Sequence, residues 1–584
     1  MHVLTKVLAV IGAVTLITVI IFIVFGIYTR HTRDRIYPET VLEIDFGLGL
    51  VESPPPSPVN RLIRGERLRI REIVEALDTG AQDNRVRAVI ARIDGGPFRY
   101  GDVQEIRDAV KRFRTSGKRA IAYAETFGEF GPGNSLYYLA SSFDAIYLQP
   151  SGELGLTGLL SQSPFIEQTL EKLDVQAQIT GREEYKTAQY LYTERGFTDE
   201  QREVAESITD SILSVMVRDI AADRDFDEQT LRNLIKEGPF GAQQALEHNF
   251  VDELGYRDAA FTRIREEAGE NVRFLFAQKY INRLPQNRRG EAIALIYADG
   301  AIVRGKSRSN PFTGERLLGA KTVAAAIRAA VRDNDVGAIV LRINSPGGSY
   351  VASDKIWRET VQARKAGKPV IASMGAVAGS GGYFIAMDAE KIVAHPSTIT
   401  GSIGVVGGKV VTRGFFNKLG ITFDDVRTSE NAVLWSPLHP YTEQNWEYVN
   451  SWLDRVYDDF VTKVAEGRNM EREKVEQVAR GRVYTGTEAL HNGLIDTLGG
   501  FPAAFNIAKS VMGIPVDKPV RVKIFPEPQT LLEQLTGRTP ESSEQRGTEL
   551  ELLESGNVTD LIKEGVLGKG DLRGILYMNE PIVY

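Results

Sequence analysis

The sequence predicts an α/β protein in which one domain occurs twice. Short apolar segments alternate along the chain with amphipathic helical segments, which is typical of parallel strands joined by helices. The sequence of residues 86–93 (VRAVIARI) recurs in similar form at residues 336–343 (VGAIVLRI), an offset of 336 − 86 = 250. A chain of 584 residues is also too long for one ordinary core, and two domains of roughly 200–250 residues account for its length.

The elements of the first copy follow one another in regular order. A first strand at 41–46 is followed by the prolines 54–56, which interrupt regular structure. We then predict helices and strands in alternation, at 67–77 (helix), 88–93 (strand), 102–113 (helix) and 120–124 (strand).

The second copy repeats this order. Its predicted elements are 292–297 (strand), 322–332 (helix), 338–343 (strand), 352–366 (helix) and 369–373 (strand). Similar sequences occur near the end of both copies, VDELG at 251–255 and IDTLG at 495–499. We therefore assign the first repeat to residues 40–277 and the second to 290–525, with a polar linker near 278–289.

The two ends of the chain differ from the repeats. After a short flank at 1–6, residues 7–28 contain no charge and are long enough to cross a bilayer as a helix, so we predict an uncleaved membrane anchor. Arg30, Arg33 and Arg35 follow it, and the positive-inside rule alone would leave the body cytoplasmic, although large domains translocate regardless of nearby charge. Residues 526–584 form a polar, partly disordered tail, whose last stretch from Ile575 is apolar enough to dock.

Composition excludes several classes of function. The net charge of −7, with both signs interspersed, does not favour a nucleic-acid partner. The absence of cysteine excludes thiolate catalysis, disulfides and cysteine-ligated metals. The six histidines have no ligand spacing, so we expect neither a metal nor a cofactor.

Two glycine-rich segments of the second copy follow predicted strands. They are residues 344–349 (NSPGGS) and 375–383 (GAVAGSGGY). Paired glycines let backbone N–H groups face a cavity, as an oxyanion hole requires, or simply form a tight turn. Ser380 is either an ordinary helix N-cap or a nucleophile near the positive end of a helix dipole. Ala378 replaces the first glycine of a GxSxG motif, which disfavours an α/β-hydrolase.

The two copies differ where chemistry would occur. Past a loop of different length the offset becomes 396 − 150 = 246, which aligns Ser380 with Asn134 and Lys186 with Ala432. One copy holds the serine and the other the lysine, so serine–lysine chemistry would need both.

A serine nucleophile also needs a base. His395 is typical of a packed histidine, whereas Lys186, in EYKTA, would be an ordinary surface lysine if it were considered alone. An unperturbed lysine, with a pKa near 10.4, does not accept a proton at neutral pH. Burial that lowers this pKa by about 3, at a cost of about 4 kcal/mol, would make Lys186 a general base.

Together the motifs NSPGGS, MGAVAGSGGYFIA and EYKTA resemble the signal peptide peptidase A family, in its long form with two fused repeats. The resemblance covers residues 40–525 and implies tandem Clp/crotonase-type α/β domains and a Ser–Lys dyad. It implies that Ser380 is the nucleophile, Lys186 the general base and Ser402, 22 residues past Ser380, the residue that orients the lysine. Gly347, Gly348 and Gly381 would supply the oxyanion hole, with the choice of amide left open.

The resemblance also implies a cellular setting. The expected substrates are signal peptide remnants and other peptides, cleaved at the bacterial inner membrane by a body that faces the periplasm. The expected assembly is a homo-oligomer, a tetramer-like dome.

Two other functions are compatible with the sequence. A crotonase-type acyl-CoA enzyme would use the glycine amides to hold a thioester oxygen, and a non-catalytic membrane scaffold would need neither dyad residue. The membrane segment and the division of Ser380 and Lys186 between the copies favour the peptidase. Labelling by a serine-reactive fluorophosphonate, compared with a Ser380→Ala variant, separates the peptidase from the other two.

Overall fold

A computed structural model of the chain describes residues 18, 36–54, 67–285, 290–310, 313–527, 575–577 and 582–583. Apart from Thr18, the predicted anchor at 7–28 lies outside the described residues, as does most of the tail at 526–584. Within these described ranges, no helix has the length and apolarity needed to cross a membrane.

The first large sheet is fully parallel. Its central strands are nearly continuous apolar runs, which suits strands that are covered on both faces. Leu42 and Val89 pack on one side against the helices Ile70–Gln82 and Tyr100–Arg114, while Ile90 packs on the other side against Arg257–Ala268. The strands lie in the order Glu253–Leu254, Ala145–Leu148, Arg119–Ala124, Val86–Arg92, Thr40–Asp45 and Arg273–Phe276.

A second, mostly parallel sheet repeats this order with the corresponding strands of the second copy. The order is Thr497–Leu498, Lys391–Ala394, Val370–Gly379, Val336–Ser345, Ala292–Asp299 and Arg521–Phe525. The strand Val370–Gly379 is longer than the predicted 369–373, and its extra residues pair with Ile399–Gly401, which in turn pairs with Val483–Thr485. This extension carries the chain directly to Ser380.

Helices and short 3-10 turns connect the strands of both copies, and the α/β class is as predicted. In the first copy the α-helices are Ile70–Gln82, Tyr100–Arg114, Asn134–Ala140, Glu167–Lys172, Tyr190–Thr193, Asp199–Arg224, Glu228–Glu237, Ala242–Glu247, Arg257–Ala268 and Ala277–Arg283, with 3-10 turns at Phe46–Leu48 and Thr187–Gln189. In the second copy the α-helices are Ala320–Arg332, Tyr350–Lys365, Gly381–Phe384, Arg413–Lys418, Glu443–Arg468, Arg472–Val478, Gly486–His491 and Phe501–Val511, with a 3-10 turn at Glu430–Val433.

The predicted linker at 278–289 requires a correction. Its first part is the end of the helix Ala277–Arg283, and Tyr280 is fully buried in the first core. The Tyr280 hydroxyl also donates a hydrogen bond to Asp83, at 2.9 Å. The first repeat therefore continues past residue 277, because a large aromatic ring there is buried against it.

A third, mixed sheet joins the two copies. The strand Gln176–Gly181 of the first copy pairs antiparallel with Val406–Val411 of the second. The full order is Arg308–Ser309, Arg316–Gly319, Ala301–Val303, Gly347–Ser349, Ile575–Tyr577, Val406–Val411 and Gln176–Gly181. Two-stranded pairs complete the described strands: Leu50–Val51 with Leu68–Arg69, Phe240–Gly241 with Glu153–Leu154, and Ile582–Val583 with Ser161–Gln162.

A buried charge cluster also connects the copies. Arg342, on the strand that leads to the NSPGGS segment, forms ion pairs with Glu52 at 2.8 Å and Glu105 at 2.6 Å, and all three side chains are buried. Burial raises the pKa of Glu105, but Arg342 and His395 lower it, and the resulting pKa is about 2. A buried carboxylate whose partner is removed is costly, so the cluster favours one docking arrangement of the two copies.

Candidate active site

Three polar side chains from the two copies meet in the interior. Lys186 Nζ lies 2.8 Å from Ser380 Oγ and 2.9 Å from Ser402 Oγ, and it donates to the Ser402 carbonyl oxygen at 3.1 Å. All three residues are buried, with exposed fractions of 2% or less. The serine of one repeat and the lysine of the other therefore form a direct pair within a single chain.

Ser380 has an unusual backbone conformation. It lies between the strand Val370–Gly379 and the short helix Gly381–Phe384, as the N-cap residue, with φ of 53° and ψ of −114°. A positive φ in a residue with a side chain is strained, and such residues concentrate at functional sites. The backbone N–H of Ser380 donates to the Gly401 carbonyl at 2.8 Å, which fixes the turn.

The two serines are neighbours because their strands are paired. Gly379 and Gly401 are register partners in parallel strands, so the next residue of each strand, Ser380 and Ser402, emerges at the same sheet edge. Ser402 also has a positive φ, of 54°, and its backbone N–H donates to the Arg482 carbonyl at 2.7 Å. The spacing of 22 residues noted in the sequence thus corresponds to one step across the sheet.

Strand pairing between the copies brings the lysine to the serines. Gly181, at the end of the strand Gln176–Gly181, is the partner of Val406, and the next residue, Arg182, donates its backbone N–H to Val405 at 2.9 Å. Tyr185 then donates its backbone N–H to the Arg480 carbonyl at 3.1 Å. These backbone contacts hold the residues just before Lys186 against the second copy, which fixes where the Lys186 side chain enters it.

Two glycines of the second copy, Gly404 and Gly481, make room for Lys186, and neither lies in one of the three sequence motifs. A Cβ atom at Gly481, where φ is 78°, would lie 2.5 Å from the Lys186 backbone nitrogen. A Cβ atom at Gly404 would lie 3.2 Å from Lys186 Cδ. At the offset of 246 that relates the copies Gly404 aligns with Gly158, but no local pattern in the sequence distinguishes Gly481.

Burial changes the acidity of the lysine. It lowers the pKa of Lys186 to about 7, because an ammonium ion loses its hydration in this interior. The hydrogen-bond partners of Nζ among the described residues are two hydroxyl groups and one carbonyl, none of which carries a charge. Near neutral pH a substantial fraction of Lys186 is therefore uncharged, with a lone pair that can accept a proton.

The three glycines of the predicted oxyanion hole lie close together. A Cβ atom at Gly381 would lie 3.1 Å from the backbone nitrogen of Gly348 and 3.1 Å from Cα of Gly347. A Cβ atom at Gly348 would lie 2.1 Å from the Ile302 carbonyl oxygen, so only glycine fits there. The Gly347 N–H donates to Ser345 Oγ at 3.2 Å, which leaves the amides of Gly348 and Gly381 as the better-placed candidates.

The other serines of the NSPGGS segment have structural contacts. Ser345 Oγ accepts the Gly347 N–H, and Ser349 caps the helix Tyr350–Lys365 by accepting from the Ala352 N–H at 3.4 Å. Lys186 contacts neither hydroxyl in the described hydrogen bonds. Ser380 is thus the serine of these glycine-rich segments that contacts the lysine.

The corresponding positions of the other copy hold different groups. Asn134, which aligns with Ser380, is buried; its amide donates to the Gly158 carbonyl at 2.9 Å and accepts from the Thr157 N–H at 3.0 Å. Ala432, which aligns with Lys186, is exposed on the 3-10 turn Glu430–Val433. One serine–lysine pair is therefore formed within the described part of the chain.

His395 and potential metal ligands lie outside this arrangement. His395 is buried at the junction of the copies, with Nε2 3.6 Å from Glu105, and does not contact Ser380. No group of three or more histidine, aspartate or glutamate side chains in the described ranges is arranged to hold a metal ion.

The chain is similar to known peptidases. The model of peptidase family S49 matches residues 112–271 and 362–514, one segment in each copy. The chloroplastic serine protease SPPA of Arabidopsis thaliana is 30% identical over 477 residues, which cover 80% of this chain and 69% of that protein. Protease 4 of Salmonella typhi is 32% identical over 451 residues, which cover 74% of this chain and 70% of that protein. Among solved structures, a variant of the 1510-N membrane-bound stomatin-specific protease matches 41% of this chain and 98% of its own, with 18% identity and a TM-score of 0.25.

Proposed function

The chain belongs to peptidase family S49 and is a serine peptidase, and we propose that Ser380 and Lys186 are its catalytic dyad. The observation that carries this proposal is the 2.8 Å contact between Ser380 Oγ and the buried Lys186 Nζ. In the proposed mechanism Ser380 is the nucleophile, Lys186 the general base and Ser402 the residue that orients the lysine.

Proton transfer follows from the contacts of Nζ. A neutral amine has one lone pair and two N–H bonds. In the reactive state that we propose, the Ser380 hydroxyl donates to this lone pair, and the two N–H groups donate to the two oxygens of Ser402. As Ser380 Oγ attacks the peptide carbonyl, its proton moves to Nζ. The resulting ammonium has three N–H donors for three oxygens, namely Ser380 Oγ and the two oxygens of Ser402. These hydrogen bonds stabilise it until it protonates the leaving amine.

The departing amine takes that proton, and an acyl-enzyme ester remains on Ser380. The neutral Lys186 then removes a proton from water, whose oxygen attacks the ester carbonyl. As the ester bond breaks, the Lys186 ammonium returns this proton to Ser380 Oγ, so the carboxylic acid is released and both residues regain their starting states. We assign the amides of Gly348 and Gly381 to the negative charge that develops on the carbonyl oxygen in both steps, since their backbones converge beside Ser380.

We propose that the fold consists of tandem Clp/crotonase-type domains, the first from residue 40 to the end of the helix Ala277–Arg283 and the second at 290–525. The strand order that the two large sheets share supports this division. The dyad between repeats is consistent with a duplication in which each copy kept one catalytic residue.

We further propose that the enzyme is anchored in the bacterial inner membrane by residues 7–28 and faces the periplasm. The support is the uncharged length of that segment and the family of the chain. Its substrates would be cleaved signal peptides and other peptides near the membrane. A homo-oligomeric, tetramer-like dome is the proposed assembly.

The direct test is the removal of one hydroxyl. A Ser380→Ala variant should lose at least about a thousandfold in peptidase activity, because covalent catalysis is abolished. Its melting temperature should change little, since the turn is held by backbone contacts. Ser349→Ala is the matched control, a serine of the neighbouring motif that should keep nearly full activity. If Ser380→Ala retains a tenth of the wild-type activity, the dyad assignment is wrong.

A further inference from the structure

The third sheet contains a position for one strand directly beside the dyad. The strand Gly347–Ser349 lies on one side of this position and Val406–Val411 on the other, and the strand Ile575–Tyr577 fills it. The filling strand is antiparallel to both neighbours, with Leu576 opposite Gly348 and Ile575 opposite both Ser349 and Val406. We call the gap between Gly347–Ser349 and Val406–Val411 the strand slot; adjacent strands are about 4.8 Å apart, so it is about 10 Å wide.

The slot is formed by the same backbone that forms the site. Gly348, on one edge, lies against Gly381, the residue after the nucleophile. Val406, on the other edge, follows Ser402 by four residues and pairs with Gly181, five residues before Lys186. An extended peptide in this slot therefore runs past Ser380 with its main chain paired on both sides.

A second contact holds the same terminal region. Residues 582–583 pair antiparallel with Ser161–Gln162 of the first copy. The occupant of the slot is thus attached to the folded body on both sides, by the covalent chain before it and by strand pairing after it. Such attachment gives a segment an effective concentration on the order of millimolar at its site.

We propose that the strand slot binds extended peptides by main-chain pairing and that residues 575–577 of this chain are its resident occupant, which substrate must displace. The inference rests on the proposed function, because it concerns access to Ser380. Substrate and the terminal segment compete for one strand position, so the segment raises the apparent KM and leaves kcat unchanged. If the segment alone binds with a dissociation constant of about 0.1 mM, an effective concentration of about 1 mM raises KM about tenfold.

The test uses the full chain with one substitution in the occupant. Leu576→Pro removes a backbone N–H and fixes φ near −65°, which is incompatible with a strand paired on both sides. We expect KM for a fluorogenic peptide to fall about tenfold, with kcat unchanged. Leu576→Ala is the matched control, since it keeps the backbone N–H and should keep the wild-type KM.

A second measurement supplies the occupant as a separate peptide and can be made on the wild-type chain as well as on the variant. A synthetic peptide of residues 574–584 should compete with substrate for Leu576→Pro and inhibit it more strongly than it inhibits wild type. The same peptide with an N-methyl group on residue 576 should not inhibit, because it lacks that N–H. Equal KM values for wild type and Leu576→Pro, or equal inhibition by the two peptides, would overturn the proposal.

These outcomes are separate from the test of the dyad. If Ser380→Ala is inactive but Leu576→Pro has an unchanged KM, the resident occupant is wrong and the proposed function stands. If Ser380→Ala is active, the proposed function itself fails, whatever the effect at residue 576.

Discussion

The pH dependence of kcat/KM tests whether Lys186 acts as the base. Only the neutral amine accepts the proton of Ser380, so the rate follows the neutral fraction of Lys186 in the free enzyme. Burial lowers the pKa of Lys186 to about 7. We therefore expect kcat/KM to rise with pH and to level off above this lowered pKa.

The size of the expected change in kcat/KM follows from the titration curve of Lys186. With a pKa of about 7, the neutral fraction is about 0.1 at pH 6, about 0.5 at pH 7 and about 0.9 at pH 8. We expect kcat/KM to rise about tenfold from pH 6 to pH 8 and by only about a tenth from pH 8 to pH 9. A lysine with the ordinary pKa near 10.4 would give about a tenfold rise over that last step.

The assay uses the detergent-solubilised full chain and an internally quenched peptide without ionisable side chains, at concentrations well below KM. Rates are measured from pH 5 to pH 10 at constant ionic strength, with the Ser380→Ala background subtracted. Enzyme returned from each pH to pH 8 should recover its rate, which separates titration from unfolding. A tenfold increase between pH 8 and pH 9 would refute the lowered pKa, and a flat profile from pH 5 to pH 9 would refute the lysine as base.

Three further predictions concern the same contacts. Ser402→Ala should lose about 10- to 100-fold in kcat/KM, less than Ser380→Ala, because it removes one hydrogen bond to Nζ and leaves that of the carbonyl; equal losses would mean that Ser402 does more than orient the lysine. Lys186→Met should be inactive but more stable than wild type to denaturant at pH 8. This advantage should shrink by about 1.4 kcal/mol per pH unit toward pH 10, because only the unfolded wild-type lysine is protonated in that range; a constant difference would show that the buried lysine is charged. A mixture of Lys186→Ala and Ser380→Ala chains should stay inactive, since one chain supplies both residues of a site; recovered activity would show that sites form between chains.

The repeat made much of this architecture predictable. When the copies are aligned, Ser380 faces Asn134 and Lys186 faces Ala432. This asymmetry indicates a special role for Lys186, although the EYKTA segment is otherwise ordinary. Most strands of the two parallel sheets were also predictable, because buried parallel strands are apolar runs that stand out from the amphipathic helices.

Long-range pairing was not predictable from local patterns. Gly481 has no distinctive neighbours, yet Lys186 packs against its backbone after nearly 300 intervening residues. The pairing of Gly181 with Val406 is equally non-local, and it determines where the lysine enters. The helix over the predicted linker was missed because Tyr280 stands in a polar stretch, and only the folded structure buries it.

The amide of Asn134 limits what a single substitution could add to the first copy. This side chain satisfies the Gly158 carbonyl and the Thr157 N–H, two backbone groups beside the position that aligns with Ser380. A serine at position 134 has one oxygen on a shorter side chain and would leave at least one of these groups without its partner, while the exposed Ala432 would still provide no base. Giving the first copy its own serine would therefore cost stability and create no second serine–lysine pair. Each half of the chain supplies one residue of a contact that neither half can form alone.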